Sequence, residues 1–272
     1  MDRQANSFTR RLLDELDDRP ADAVAIGGRY AAVRIGERIG LARRIPAPAR
    51  SGAPPRSGAP PARPPENHPC PSSPALPASG KRFAGQRLAA LVLAEDPIER
   101  VVGAAAINAQ VDVRGGVPRN VFTYILEQAE HHAQIGIVGA FPFIPQLRRQ
   151  CGAARVLVFE QRPLPDCLPA AQADALIPEC DLVVITGSAF ANGTLDQLLA
   201  LRRGTTLVIG PSTPLSPLLF DFGVDVLAGL RATDPRILEI VGDDGGTRDF
   251  KPLTEEVLVE SPRMRAPRGR SL

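Results

Sequence analysis

Hydroxyls, glycines and one carboxylate gather where short apolar runs end in this 272-residue chain. Gly139-Ala140-Phe141-Pro142 closes one run, Glu160 closes a second, Thr186-Gly187-Ser188 a third, and Gly210-Pro211-Ser212-Thr213-Pro214 a fourth. Glycine lets backbone amides approach a ligand, and the unpaired N–H groups of a following helix start favour an anion. Two hydroxyls fixed between prolines, Ser212 and Thr213, are preorganised donors for a phosphate, carboxylate or oxyanion. Glu160 lies 21 residues after Gly139, near the spacing at which a dinucleotide fold sets an acid against a ribose hydroxyl. A solvated carboxylate paired with Arg162 is the competing role for it.

Plainer roles compete at the other loop residues too. Thr194 precedes a helical pattern and reads first as an N-cap, Asn192-Gly193 as a turn, and Thr213 or Ser216 as further caps. Thr186 and Ser188, nearer the strand tip, are the stronger ligand candidates. No GxGxxG, P-loop or GxSxG elbow occurs, which removes the commonest nucleotide triphosphatase and hydrolase readings. His131 and His132 adjoin at a helix end, where they suit the negative dipole terminus, and His68 lies in a Pro-rich stretch, so no HxxxH ligand pair exists. Cys70, Cys151, Cys167 and Cys180 lack CxxC spacing and are expected as reduced, structural thiols. A metal held by these loops would have to accept oxygen donors, which favours hard or borderline ions. The sequence names no cofactor beyond that candidate metal ion, and without a base or nucleophile at the tips it favours binding or transfer over hydrolysis.

The runs that carry these loops, 135–139, 155–160, 181–187 and 206–211, are short, β-branched and apolar throughout, as strands buried on both faces are. Helical patterns at 144–150, 170–176, 195–203 and 216–222 alternate with them, giving an α/β, doubly wound parallel sheet. A further strand at 224–228 is expected to end the sheet, followed by a helix over 234–241. Upstream, Phe8, Leu12, Leu13 and Leu16 predict a helix over 7–16. Runs at 24–26, 30–35 and 39–41 predict two or three antiparallel strands. Residues 46–79 turn to Pro, Ala, Ser, Gly and Arg, and this composition predicts a disordered insertion. After Phe83, two helices are expected, split at Asp96-Pro97, with Leu88, Leu91 and Val92 buried on the first and Ile98, Val101 and Val102 on the second. A third over 120–132 should bury Val121, Ile125, Leu126 and Ala129.

The formal charge is +2, which gives no global reason to expect nucleic acid or an anionic membrane as partner. No apolar stretch reaches the roughly 20 residues that span a bilayer, and the charged beginning lacks a signal-peptide core. A cytoplasmic protein with a small-molecule ligand is the expectation, and the sequence leaves open whether it forms a homo-oligomer.

Six blocks occur in a family order: Gly103-Ala104-Ala105-Ala106-Ile107-Asn108-Ala109, Gly139-Ala140-Phe141-Pro142, Val158-Phe159-Glu160, Ile185-Thr186-Gly187-Ser188, Asn192-Gly193-Thr194-Leu195-Asp196, and Gly210-Pro211-Ser212-Thr213-Pro214-Leu215. Together they resemble the putative heavy-metal chelation family. That resemblance implies a small α+β, enolase-N-terminal-like front domain over 1–118, a Rossmann-like domain over 119–250, and a tail over 251–272. It also implies a site in the cleft between the domains, lined by Asn108 from the front and by Phe141, Glu160, Thr186, Ser188, Asn192, Pro211, Ser212 and Thr213 from the rear. The implied ligand is a metal ion, a metal chelate or a small anionic metabolite; the alternative is a nucleotide- or dinucleotide-dependent enzyme. The Pro-rich stretch stands where the family has the end of its front sheet, which is a departure from the pattern.

Overall fold

The computed structural model describes residues 7–44, 83–111 and 116–265. The Pro-rich stretch at 46–79 lies outside them. The front of the chain opens with α1 (Phe8–Asp14), whose N-cap Ser7 accepts from Arg10 N. A short pair, β1 (Pro20–Ala21) and β5 (Phe83–Ala84), is antiparallel. Between them in sequence, β2 (Ala23–Ile26), β3 (Tyr30–Ile35) and β4 (Arg38–Arg43) form an antiparallel three-stranded sheet. Two helices follow, α2 (Gly85–Ala90) and α3 (Pro97–Gln110); Asp96 caps the second through Ile98 N and Glu99 N, with Pro97 in its first turn. An aspartate cap followed by proline is what stops one helix and starts the next here.

The small residues of α3 have a packing purpose. Gly40 of β4 lies so close to this helix that a Cβ would sit 2.0 Å from Ala105 O. Ala104, Ala105 and Ala106 are fully buried against the sheet. Glycine on the strand and alanines on the helix let the two backbones meet, so a larger side chain at Gly40 would force the layers apart.

After α4 (Val121–Ala129), capped by Asn120, comes the large sheet. Its strands are β6 (Ile135–Val138), β7 (Val156–Glu160), β8 (Leu168–Pro169), β9 (Leu182–Thr186), β10 (Thr205–Ile209), β11 (Val226–Ala232) and β12 (Thr254–Glu260). The spatial order is β12-β11-β10-β9-β6-β7-β8, parallel except for the β11–β12 pair. Helices α5 (Ile144–Cys151), α6 (Ala173–Leu176), α7 (Ser188–Ala191), α8 (Leu195–Leu201), α9 (Leu218–Asp221), α10 (Ile237–Gly242), α11 (Thr247–Phe250) and α12 (Pro262–Arg265) connect and flank it.

Strand alternation divides the core by face. Ile135, Ile137, Leu182, Val184, Leu207 and Ile209 pack with Tyr124, Ile125 and Leu147 of α4 and α5. On the opposite face, Phe159, Val183, Ile185, Val208 and Leu227 share one cluster with Phe8 and Leu12 of α1 and with Val101 and Ile107 of α3. The front of the chain is thus packed into the core of the rear sheet: Phe8 is wholly buried, edge-on to Phe190 and Phe222. A third cluster joins Tyr30, Ala32 and Leu41 of the front sheet to Ile237, Val241 and Phe250.

Two sequence expectations are corrected. The sheet does not end at 224–228, because β11 runs to Ala232. Nor is the segment from Lys251 simply a tail: β12 pairs antiparallel with β11 over seven residues, and Val257 and Val259 enter one core cluster while Leu258 enters the other. The apolar run Val257-Leu258-Val259 is strand-like, but Glu255 and Glu256 ahead of it make an edge strand look like a solvated terminus. Among the described residues, no helix is long and apolar enough to cross a membrane.

Candidate functional site

The parallel strands turn their carboxyl ends toward one opening, and the strand order reverses between β6 and β9. In an open α/β sheet this reversal parts the connecting loops and leaves a crevice. The loop after β6 carries Gly139, Ala140, Phe141 and Pro142; β9 ends on Thr186 and passes through Gly187 into α7 at Ser188. The front sheet closes the opening with Arg43 and Arg44 at the end of β4.

Two chambers of about 230 and about 910 Å³ meet there. Both are lined by Arg43, Arg44, Phe141, Pro142, Arg162, Thr186 and Ser188. The smaller adds Gly139, Glu160, Asp174, Asn192 and Gln197. The larger adds Arg29, Tyr30, Arg119, Phe143, Gly210, Pro211, Arg248 and Lys251 among others. Its volume falls in the range of small-molecule sites.

The expected residues divide by what their polar atoms do. Glu160 stands at the end of β7, but its Oε2 accepts from Ala140 N at 3.1 Å and its Oε1 from Gln161 N and Arg162 N at 2.9 and 3.4 Å. The carboxylate therefore ties the β6 and β7 exits together through backbone amides, and it meets the main chain of Arg162 rather than its guanidinium. Thr186 Oγ1 accepts from Ser188 N at 3.3 Å. Ser188 is almost wholly buried and lines both chambers.

Ser212 and Thr213 lie deeper. Ser212 is 1% exposed, and its Oγ accepts from Arg43 N at 2.7 Å, joining the front sheet to the β10 exit. Thr213 is 3% exposed, and its Oγ1 is buried without a hydrogen-bond partner. Gly187 explains the tightness: a Cβ there would lie 2.4 Å from Thr213 N, so only glycine lets the two loops touch. The sequence reading has both hydroxyls presented to a ligand, whereas both residues are buried and neither lines a chamber. Gly210, at φ +114°, gives the loop a left-handed start that favours glycine.

Asn108 and Asn192 also work within the protein. Asn108 Nδ2 donates to Leu41 O at 2.8 Å, fastening α3 to β4, and the residue is not part of either chamber's lining. Asn192 Oδ1 accepts from Thr194 N at 3.0 Å and Thr194 Oγ1 at 2.7 Å, while its backbone oxygen accepts from Arg100 Nη1. Thr194 occupies the N-cap of α8 without a side-chain capping bond. Asp196 in the first turn instead accepts from Phe8 N and Thr9 Oγ1 at 2.7 and 2.8 Å, anchoring α1.

The residues that sequence reasoning missed are cations. The larger chamber is lined by six arginines, Arg29, Arg43, Arg44, Arg119, Arg162 and Arg248, and by Lys251, against the acids Asp249 and Glu256. Arg119 is ion-paired with Glu127 and lies over the Tyr124 ring, Lys251 pairs with Glu256 at 2.8 Å, and Arg44 donates to Gly27 O at 2.6 Å. No hydrogen bond or ion pair engages the guanidinium of Arg29, Arg43, Arg162 or Arg248 among the described residues, and all four are exposed. A signal existed in Arg43-Arg44 at the end of a predicted strand. A net charge of +2 hid it, since the opposing acids lie elsewhere.

Metal donors do not converge in the same way. Among the described residues, no group of three or more His, Cys, Asp or Glu is arranged to hold a metal ion. His132 bonds Gln128 O and Thr205 Oγ1. Cys180 is buried, its thiol pushed up to about 11 by desolvation, and burial likewise raises Cys167. Neither thiol lines a chamber.

Comparison with known proteins adds the following. A family described as putative heavy-metal chelation matches this chain over residues 120–260, and a second family with the same description matches residues 9–111. A crystal structure of a protein of unknown function from Desulfitobacterium hafniense DCB-2 superposes with a TM-score of 0.76 at 22% identity, covering 93% of this chain and 97% of that one. A second protein of unknown function, from Pyrococcus horikoshii, superposes with a TM-score of 0.68 at 21% identity, again covering 93% and 97%. No curated protein matches. At such identities the structural likeness bears on the fold alone.

Proposed function

The chain belongs to the putative heavy-metal chelation family, and on that premise we propose that its cleft binds an anionic small molecule, above all a metal already held in an anionic chelate. The observation that carries this reading is the ring of arginines at the strand-end crevice, contributed by both the front sheet and the rear loops. Four exposed guanidiniums without internal partners repel a bare cation and attract carboxylates or phosphates, which they can meet bidentately. The cleft does not offer a bare heavy-metal ion a set of thiolate, imidazole or carboxylate ligands from the described residues, whereas a chelate brings its own donors. Thr186 and Ser188 add hydroxyls at the neck between the chambers.

The division into a front domain to Pro118 and a rear domain from Arg119 is part of the same proposal, with Arg29, Arg43 and Arg44 given by the front and Arg119, Arg162 and Arg248 by the rear. The dinucleotide reading has less support: the carboxylate that would meet a ribose already accepts three backbone amides, and one of them, Ala140 N, belongs to the loop that would have to cradle phosphate.

Calorimetric titration with the nickel–EDTA dianion, free EDTA and free Ni²⁺ tests the reading. The chelate should bind, and should weaken as ionic strength rises, because contacts to exposed charges are screened. Free Ni²⁺ binding more tightly than the chelate would overturn it.

A further inference from the structure

The large chamber also has an aromatic wall, which charge alone does not explain. Phe122, Phe143 and Phe141 form a continuous stack: the first two ring centroids are 5.3 Å apart at 30°, the second two 5.1 Å apart at 16°. Phe143 is the middle ring. Phe141 ends the stack, is half-buried, and lines both chambers at their junction beside Arg43, Arg44 and Arg162. Among the described residues no ring other than Phe143 contacts Phe141, and as the terminal, chamber-lining ring of the stack it is the one placed to take a further ring. The apolar residues Val121, Ile209 and Leu230 also line the larger chamber.

Resting on the proposed anionic-ligand cleft, we propose that its ligand is a planar, conjugated ring bearing two or more anionic groups, stacked on Phe141 with its anions directed to Arg43 and Arg162. Stacked aromatic pairs prefer offset, near-parallel contact at the centroid spacing already present in the stack. Guanidinium groups provide in-plane bidentate contacts to carboxylate or phosphate. A flat anion satisfies both demands with one rigid body, so little conformational freedom is lost on binding. An aliphatic polyanion of equal charge would use only the arginines.

The test compares two chelators with one donor set. Pyridine-2,6-dicarboxylate and iminodiacetate each present one nitrogen and two carboxylates, and each forms a 2:1 nickel(II) complex of charge −2; only the first is a flat aromatic ring. Affinities of both complexes are measured for the intact protein and for Phe141→Leu, with Phe143→Leu as a second variant that disturbs the stack from behind. The proposal expects the pyridine complex to bind about three- to tenfold more tightly, the range that stacking supplies. It expects Phe141→Leu to remove that advantage and leave the iminodiacetate complex within about twofold. Equal binding of the two complexes, or an advantage that survives in both variants, overturns the ring while leaving the anionic cleft standing. Failure of both complexes to bind overturns the cleft and the ring together.

Discussion

Two sets of polar residues lie at and behind the same crevice, and they differ in what they touch. At the seam, Ser212, Asn192 and Glu160 accept hydrogen bonds from Arg43 N, Thr194 N and Ala140 N, and Asn108 donates one to Leu41 O. At the mouth, Arg29, Arg43, Arg162 and Arg248 extend into the larger chamber. Small polar side chains are short enough to serve nearby backbone groups, and a buried backbone group left unmet is costly. The guanidiniums of Arg29, Arg43, Arg162 and Arg248 meet no protein partner among the described residues, so they are the groups left for a ligand. Polar type at a strand tip therefore marks a place in the fold, while the task depends on reach and burial.

The seam is where substitutions should cost stability. Phe8→Ala removes a wholly buried ring that joins α1 to the rear core, and about 3–5 kcal/mol of unfolding free energy should be lost; chemical denaturation measures it. A loss under about 1 kcal/mol would mean that the front helix is only loosely seated, and the seam would no longer be cement. Ser212→Ala removes the acceptor of the part-buried Arg43 N and should cost about 0.5–1.5 kcal/mol. The same variant should hold its affinity for the nickel–EDTA dianion within about twofold; a tenfold loss would move Ser212 from seam to mouth.

A pH scan sharpens the comparison from inside the core. Burial raises the Cys180 thiol to about 11 in the folded chain from an ordinary value near 9. The folded state thus holds this proton more tightly than the unfolded one, so stability is fully present below about pH 9 and falls as pH rises toward 11. The decline should amount to about 1–2 kcal/mol, and Cys180→Ala should flatten it. Binding at the mouth has no part in that transition. The smallest effect is expected at Thr194→Val, which removes one hydroxyl bond to Asn192 and should cost about 0.5–1 kcal/mol in thermal unfolding, with binding unchanged.

Much of the framework was readable in advance. Runs such as Leu182–Thr186 are apolar on both sides because both faces of the sheet are covered, and Asp96-Pro97 announces a helix start by its cap chemistry. Strand β12 was missed because an edge strand beginning with Thr254, Glu255 and Glu256 looks solvated until its partner is known. The crevice was legible as a set of loops, since Gly139, Gly187 and Gly210 each follow a strand directly. Its charge was not legible: Arg29, Arg119 and Arg248 are far apart in sequence and come together only through the packing of the front sheet, α4 and α11 around the strand ends. Nor could sequence show that Gly187 packs against Thr213, a buried residue that lines neither chamber.

Charge reversal at the mouth tests the central claim most directly. Arg43→Glu with Arg162→Glu alters two exposed side chains without internal partners, so thermal stability should stay within about 0.5 kcal/mol, as for ordinary surface changes. Affinity for the nickel–EDTA dianion should fall by about a hundredfold or more, since two charge-assisted contacts of roughly 1.5–3 kcal/mol each are replaced by repulsion. A folded variant that binds the chelate as tightly as the unaltered protein would contradict the account.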